Sequence, residues 1–355
     1  MSGWSNNDRP SDPRKAEGDC REPQRGQDGL DVYRPQRPTP HTGLTPAVSG
    51  LILCVLGSVM ASSAMTVFAA LFVGYGYALC KRMGSTRQRM LALVLSVAPV
   101  LVLSVGQDLA IVAGFVVVCL FSVVIAHVFL DGKMTAGMSC LLVGLLALSH
   151  LAADSALAAS QGTSLNTVMS QLMTTVQQDL GSGSIAELAQ MQAMSGLVEL
   201  LWPSSYVVTG LLEFLFVRFG ARLAVNRVGA EKTGSVSLVD FDLPLWVVAV
   251  FVVAIAGVAL ELSLPQGSHV VLMVATNLLV SVRFAFAVQG LGLLVWFFRH
   301  RGIRGILPVL VGFLALYLEM QFFVLTVVGL VDVWANFRHL DRGGRHVHEG
   351  PAVQD

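Results

Sequence analysis

Ionisable side chains inside long apolar segments are the residues of this sequence best suited to chemistry. His150 and Asp154 lie four residues apart, so an α-helix would place them one turn apart on the same face. Glu199 and Arg283 lie in two later apolar segments. Charged groups within a bilayer are costly and therefore mark ligand sites, proton relays or ion pairs. We predict that His150, Asp154, Glu199 and Arg283 bind a small polar ligand.

A structural role is the alternative for the same residues. His150 and Asp154 could form a pair that only stabilises the helix end on which they lie. Arg283 requires a carboxylate or carbonyl partner in so apolar a segment, and we predict that this partner is Glu319. A buried ion pair and a ligand site remain open as interpretations of Arg283.

The composition shows what kind of protein must position these residues. The chain has 355 residues, of which 54% are hydrophobic and 13% are charged, with a mean hydropathy of +0.68. Soluble domains carry about 25% charged residues, so we predict an all-α, polytopic integral membrane protein with the lipid bilayer as its first partner. Lys and Arg together equal Asp and Glu at 23 each, which gives no basic excess for binding nucleic acid.

Eight apolar segments define the predicted topology. Basic residues flank most of them, and basic loops remain cytoplasmic. Segment 47–80 is uncharged and long enough for a short hairpin, and segment 305–335 crosses twice or re-enters. We therefore predict eight to ten transmembrane helices in a bacterial cytoplasmic (inner) membrane, with a cytoplasmic N-terminus. The segments are 47–80, 90–105, 109–130, 134–158, 197–217, 244–264, 268–298 and 305–335.

These segments divide the chain into five regions. Residues 1–45 and 339–355 are polar, and we predict that they are disordered cytoplasmic tails. Residues 46–226 form a front six-helix bundle, 227–243 a cytoplasmic linker, and 244–338 the C-terminal membrane helices.

The external segment 160–195 has apolar residues at three- and four-residue steps, which predicts amphipathic helices. One interpretation is a pair of helices lying in the outer membrane interface. The other is a methionine-lined lid over a cavity, because methionine adapts to irregular surfaces.

Small residues recur on one face of the first helix, where they permit close helix packing. Internal packing and docking of a partner membrane protein are the two interpretations of this face, which consists of Ala47, Gly50, Cys54, Gly57 and Ala61. The five cysteines show no metal-ligand spacing. The sequence has no recognisable catalytic motif, so we expect no enzyme, no metal and no cofactor.

A set of short motifs in the second half resembles the YybS-like family of bacterial membrane proteins, also called domain of unknown function 2232. The motifs are Trp-Pro, Leu-Pro-x-Trp, Gln-Gly-Leu and Gly-Leu-x-Asp-x-Trp. Their characteristic residues are Pro203, Pro244, Trp246, Gln289, Gly290, Asp332, Trp334 and Arg338. The resemblance covers about residues 45–340 and implies a polytopic membrane fold without an assigned activity.

The front bundle is also similar in layout to the S components of energy-coupling-factor transporters. That resemblance implies a bound small molecule and a first-helix face that docks a coupling subunit. We therefore predict a small-ligand-binding or transport-associated membrane protein. The alternative is a scaffold or assembly factor that works through the small-residue face, the linker and the tails.

Overall fold

The computed structural model describes residues 45–63, 65–180, 194–229, 237–264 and 268–340. These residues form α-helices and one 3-10 helix (Leu238–Asp240), with no strand among them, so the predicted all-α class is confirmed. The predicted tails lie almost wholly outside the described residues. The helices are α1 (Pro46–Ala61), α2 (Thr66–Met83), α3 (Thr86–Leu103), α4 (Leu109–Leu130), α5 (Ala136–Ser160), α6 (Leu165–Leu180), α7 (Met194–Leu201), α8 (Ser204–Arg227), α9 (Leu245–Ser263), α10 (His269–His300), α11 (Leu307–Phe322) and α12 (Val324–Ala335).

Side-chain caps define where several helices begin. Ser85 and Gln88 form a reciprocal capping box at the start of α3. Asp108 accepts a hydrogen bond from the Ala110 backbone N–H at the start of α4, and Thr135 caps α5. Each cap satisfies a backbone N–H that the helix itself leaves unpaired.

Helix α2 is the centre of the front bundle, because α1, α3, α4 and α8 all contact it. Glycines allow the closest of these contacts. A Cβ added at Gly50 of α1 would lie 2.7 Å from the carbonyl oxygen of Gly76 in α2. A Cβ at Gly74 would lie 2.9 Å from the carbonyl oxygen of Val217 in α8. These spacings leave room for no side chain at Gly50 or Gly74.

The C-terminal helices pack around α10, which has 32 residues and a length of about 48 Å. Helices α9 and α12 lie along it. Phe286 of α10 is fully buried and packs edge-to-face on Phe251 of α9, with ring centroids 5.1 Å apart. Leu243, Val248 and Val333 complete this second core.

Five helices among the described residues are long and apolar enough to cross a membrane, namely α3, α4, α5, α9 and α10. The pairs α7–α8 and α11–α12 are bent by 63° and 97°, and counting each pair as one span gives seven. This number is below the predicted eight to ten. Helix α1 has 16 residues, or about 24 Å, against a hydrocarbon core of about 30 Å. Helix α2 carries Lys81 and Arg82 in its last turn. Because other helices cover it, it can lie within a membrane with a less apolar sequence.

Lys and Arg concentrate at one end of the helices, where Asp131, Asp240 and Asp242 accompany them. At the other end the acidic residues are Asp108, Asp154, Glu199 and Glu261, and the described residues there include no Lys or Arg. We call this the acidic end. The opposite, basic end carries Lys81, Arg82, Arg87, Arg89, Lys133, Arg222, Arg227, Arg299, Arg301 and Arg304.

One ion-pair cluster joins two helices at the basic end. Lys81 at the end of α2 forms a short ion pair with Asp131, which follows α4. The hydrogen bond from Lys81 lowers the pKa of the Asp131 carboxyl group. His127 also contacts Asp131, at 3.2 Å. The cluster therefore ties α2 to α4 at the membrane edge.

Candidate functional site

A cavity of about 220 Å³ lies between α6, α7 and the break before α8, at the acidic end. Helix α6 contributes Met169 and Met173 on one face, which are half-buried. Its other apolar row, which includes Leu172, is exposed. Within α6, the amphipathic pattern predicted for 160–195 therefore divides into a cavity-facing row and an exposed row. The lining residues are Met169, Ser170, Met173, Thr174, Ser195, Val198, Glu199 and Trp202.

The part of this segment that follows α6, up to Met194, lies almost wholly outside the described residues. Met194, its last residue, begins α7 and is exposed.

The polar lining of the cavity consists of one carboxylate and three hydroxyl groups. Glu199 is exposed, so its carboxylate can reach a molecule in the cavity. The hydroxyl groups of Ser170 and Thr174 each donate a 2.9 Å hydrogen bond to a backbone carbonyl oxygen of α6, and their lone pairs can accept from a ligand. The indole of Trp202 adds an apolar surface with one N–H donor. This combination suits a small molecule with a polar or charged head group.

Trp202 connects the cavity to the spanning helices. Its ring lies against that of Tyr206 in an edge-to-face arrangement, with centroids 6.1 Å apart. The Tyr206 hydroxyl donates a hydrogen bond of 2.6 Å to Asp154 on α5. The sequence signal that could have identified Tyr206 is helical spacing. Tyr206 follows Glu199 and Trp202 at steps of three and four residues.

His150 lies one turn below Asp154 and pairs with a different helix. Its Nε2 lies 2.9 Å from Oε2 of Glu213 on α8, and the Glu213 side chain is only 2% exposed. The other oxygen of Glu213 has no hydrogen-bond partner among the described residues. The predicted pairing of His150 with Asp154 is therefore replaced by two bridges between α5 and α8.

Asn277 of α10 hydrogen-bonds the backbone on both sides of the helix break at Trp202-Pro203. Proline removes a backbone donor and bends the chain. The Asn277 side chain donates a 2.7 Å hydrogen bond to the Leu200 carbonyl and accepts one of 2.8 Å from the Ser204 N–H. One amide thus satisfies a backbone acceptor and a backbone donor that the bend releases, and it joins the front bundle to α10.

We expect Asn277→Leu to lower the free energy of unfolding by about 1–3 kcal/mol for each backbone group left unpaired. Thermal unfolding in detergent would measure this loss. Asn226→Leu changes an exposed asparagine at the end of α8 and should shift stability by less than about 0.5 kcal/mol. Equal effects of the two substitutions would contradict the role given to Asn277.

Arg283 does not contact the cavity residues but lies at the α11–α12 break. Its Nε lies 3.1 Å from Oε1 of Glu319, the partner predicted from the sequence. The guanidinium also lies 4.0 Å from the ring centroid of Phe323. Glu319 in turn accepts hydrogen bonds of 2.9 Å and 2.6 Å from the backbone N–H and the hydroxyl of Thr326. The carboxylate therefore caps α12, and the geometry favours the structural interpretation of Arg283.

The family-motif residues form a buried polar network at the basic end. Gln289 of α10 donates a 2.9 Å hydrogen bond to Asp332 of α12. Arg338 donates to the same carboxylate at 2.8 Å and 3.1 Å. It also donates to the carbonyl oxygens of Val239 and Phe241, at 2.6 Å and 2.9 Å. The network therefore attaches residues 239–241 to α10 and α12.

Two motif glycines explain why α10 and α12 lie so close. A Cβ at Gly290 would overlap the carbonyl oxygen of Leu325 and lie 2.9 Å from its carbonyl carbon. A Cβ at Gly329 would overlap the carbonyl oxygen of Phe286 and lie 2.8 Å from the backbone nitrogen of Gly290. The two glycines thus form a backbone-to-backbone crossing that tolerates no side chain.

The remaining motif residues lie near the surface. Pro244 precedes α9 and would contact a Cβ added at Gly137 of α5. Trp246 is half-exposed and, with Pro244, lines an open depression of about 440 Å³ at the basic end. Trp334 is 73% exposed, which fits an aromatic residue at the membrane interface.

The small-residue face of α1 packs inside the front bundle. Ala47, Gly50, Cys54, Gly57 and Ala61 are all buried. A Cβ at Gly57 would lie 2.7 Å from Val73 of α2. The structure therefore places the face against α2, which is the packing interpretation, and leaves it covered rather than presented to a partner.

The chain matches the family described as "Predicted membrane protein (DUF2232)" over residues 50–333. Comparisons with curated proteins and with solved structures give no match. The similarity to transporter S components thus stays a prediction, whereas the resemblance noted from the sequence motifs is confirmed. This chain belongs to the DUF2232 family of membrane proteins.

Proposed function

We propose that this protein binds a small ligand in the cavity lined by α6 and α7, without catalysing a reaction. The observation that carries the proposal is the lining, in which a reachable carboxylate, an indole and two methionines surround about 220 Å³. Pockets for drug-sized ligands span roughly 300–1,000 Å³, so the ligand is smaller than a typical drug.

The concentration of Lys and Arg at one end supports an orientation for this site. Lys and Arg concentrate on the cytoplasmic side of bacterial membrane proteins. We therefore place the basic end in the cytoplasm and the cavity on the outer side of the cytoplasmic membrane. A site on that side would collect a ligand from outside the cell.

A role associated with transport is supported by the contacts that leave the cavity. Trp202 touches Tyr206, and Tyr206 holds Asp154 of the spanning helix α5. One turn further, His150 and Glu213 join α5 to α8 within the membrane. A ligand that moves Trp202 would thus act directly on two membrane-spanning elements.

Native mass spectrometry of protein extracted gently from its own membranes tests the proposal. We expect the wild-type chain to retain a small molecule and the Trp202→Ala variant to lose it, because the indole forms one wall of the cavity. Trp334→Ala removes an exposed tryptophan at the basic end and should leave retention unchanged.

Two results would contradict the proposal. One is a wild-type chain that carries no small molecule, and the other is equal retention by the Trp202→Ala variant. Recovery with a partner protein and no ligand would favour a scaffold or assembly factor instead.

A further inference from the structure

The charge of the cavity lining restricts the kind of molecule that it can hold. Glu199 is the charged residue among the eight that line it, and no lining residue is Lys, Arg or His. An anionic ligand would meet a carboxylate and no compensating cation. A cation would find an opposite charge within the same cavity.

The charged residues around the cavity also carry negative charge. Asp154 on α5 lies at the same end, and the described residues there include no Lys or Arg. The described residues of the acidic end add Asp108 and Glu261. An anionic ligand would therefore find no cation among the described residues of this end to offset the charge of Glu199.

The uncharged part of the lining points to an organic cation rather than a metal ion. The described residues contain no group of three His, Cys, Asp or Glu side chains placed to hold a metal. Trp202 offers an aromatic face, which attracts alkylammonium groups through its quadrupole. Met169 and Met173 offer polarisable, adaptable surface for methyl and methylene groups.

We propose that the ligand is a small organic cation, a protonated or quaternary amine, whose charge is recognised by Glu199 and Trp202. This inference rests on the proposed function and adds the chemical class of the ligand. Ser170 and Thr174 provide hydrogen-bond partners for a polar substituent on the same molecule.

Three compact, methyl-rich probes of different charge test the ligand class. Tetramethylammonium is a cation, tert-butanol is neutral and pivalate is an anion. Each is titrated by calorimetry into the full chain in lipid nanodiscs. We expect saturable binding of tetramethylammonium alone, and a Kd that Glu199→Gln raises by about tenfold, which corresponds to the loss of one favourable charge interaction.

A matched variant controls for the general loss of negative charge. Asp108→Asn removes one charge at the same end, and asparagine caps α4 as well as aspartate does. We expect its Kd for tetramethylammonium to stay within about twofold of wild type, because charges outside the cavity are screened by salt.

The inference is overturned if pivalate or tert-butanol binds as tightly as tetramethylammonium, if Glu199→Gln leaves the Kd unchanged, or if no probe binds. Native mass spectrometry separates these failures from failure of the proposed function. A retained molecule that is neutral or anionic would leave the cavity as a ligand site and remove the cationic class.

Discussion

Gly290→Leu is expected to prevent folding of the C-terminal helices. The new side chain would begin inside the carbonyl group of Leu325, where backbone of α12 leaves no space for even a Cβ atom. The clash can be relieved only if α12 moves away from α10. That movement would also separate Gln289 from Asp332. We expect a loss of at least about 3 kcal/mol, since overpacking against backbone cannot be absorbed by rotamer changes. Yield of folded protein and thermal unfolding in detergent measure this loss.

Gly312→Leu is the matched control for that substitution. Gly312 lies in α11, and a Cβ added there would meet nothing within 4 Å. The same change of glycine to leucine should therefore leave folding intact and replace a residue of poor helix propensity. Similar yields of the two variants would show that α10 and α12 do not cross at Gly290.

Arg338→Met is expected to cost about 3–5 kcal/mol, because it breaks a buried ion pair by removing the arginine that binds the Asp332 carboxylate. Asp332 has 0% exposure, and the Arg338 side chain is likewise inaccessible. The substitution also removes the donors to the carbonyl groups of Val239 and Phe241. We expect a lower unfolding temperature and faster proteolysis at residues 237–243, measured in the purified full-length chain.

A double substitution and a surface control make this prediction specific. Asp332→Leu combined with Arg338→Met removes both charges and should recover part of the loss, since neither charge of the pair is left in the interior. Arg304→Met changes an exposed arginine at the same end and should have little effect. Strictly additive losses in the double variant would contradict the buried pair.

The sequence predicted the membrane class and most helix positions because long apolar segments have few alternative structures. It also predicted the Arg283–Glu319 pair, since an arginine in a bilayer needs a carboxylate and few were available. The predicted helix count exceeds the number of candidate spans among the described residues, because α1 is short and α2 is only moderately apolar. Whether such a helix spans the membrane depends on which neighbouring helices cover it, and the packing of the bundle decides that.

The site was only partly predictable for the same reason. Glu199 lines the cavity, but His150 and Asp154 bind Glu213 and Tyr206 instead. Helical spacing shows which residues share a face of one helix, whereas the facing helix decides their partners. Asn277 illustrates the limit, because two of its backbone partners lie more than seventy positions earlier in the chain.

An experimental density map of the protein, purified from its own membranes in lipid, would show whether a ligand occupies the cavity between α6 and α7. We expect density for a small molecule between the Glu199 carboxylate, the Trp202 indole and the methionines of α6. A cavity filled by side chains of the protein itself, or a bound molecule located elsewhere, such as the depression beside Trp246, would contradict this expectation.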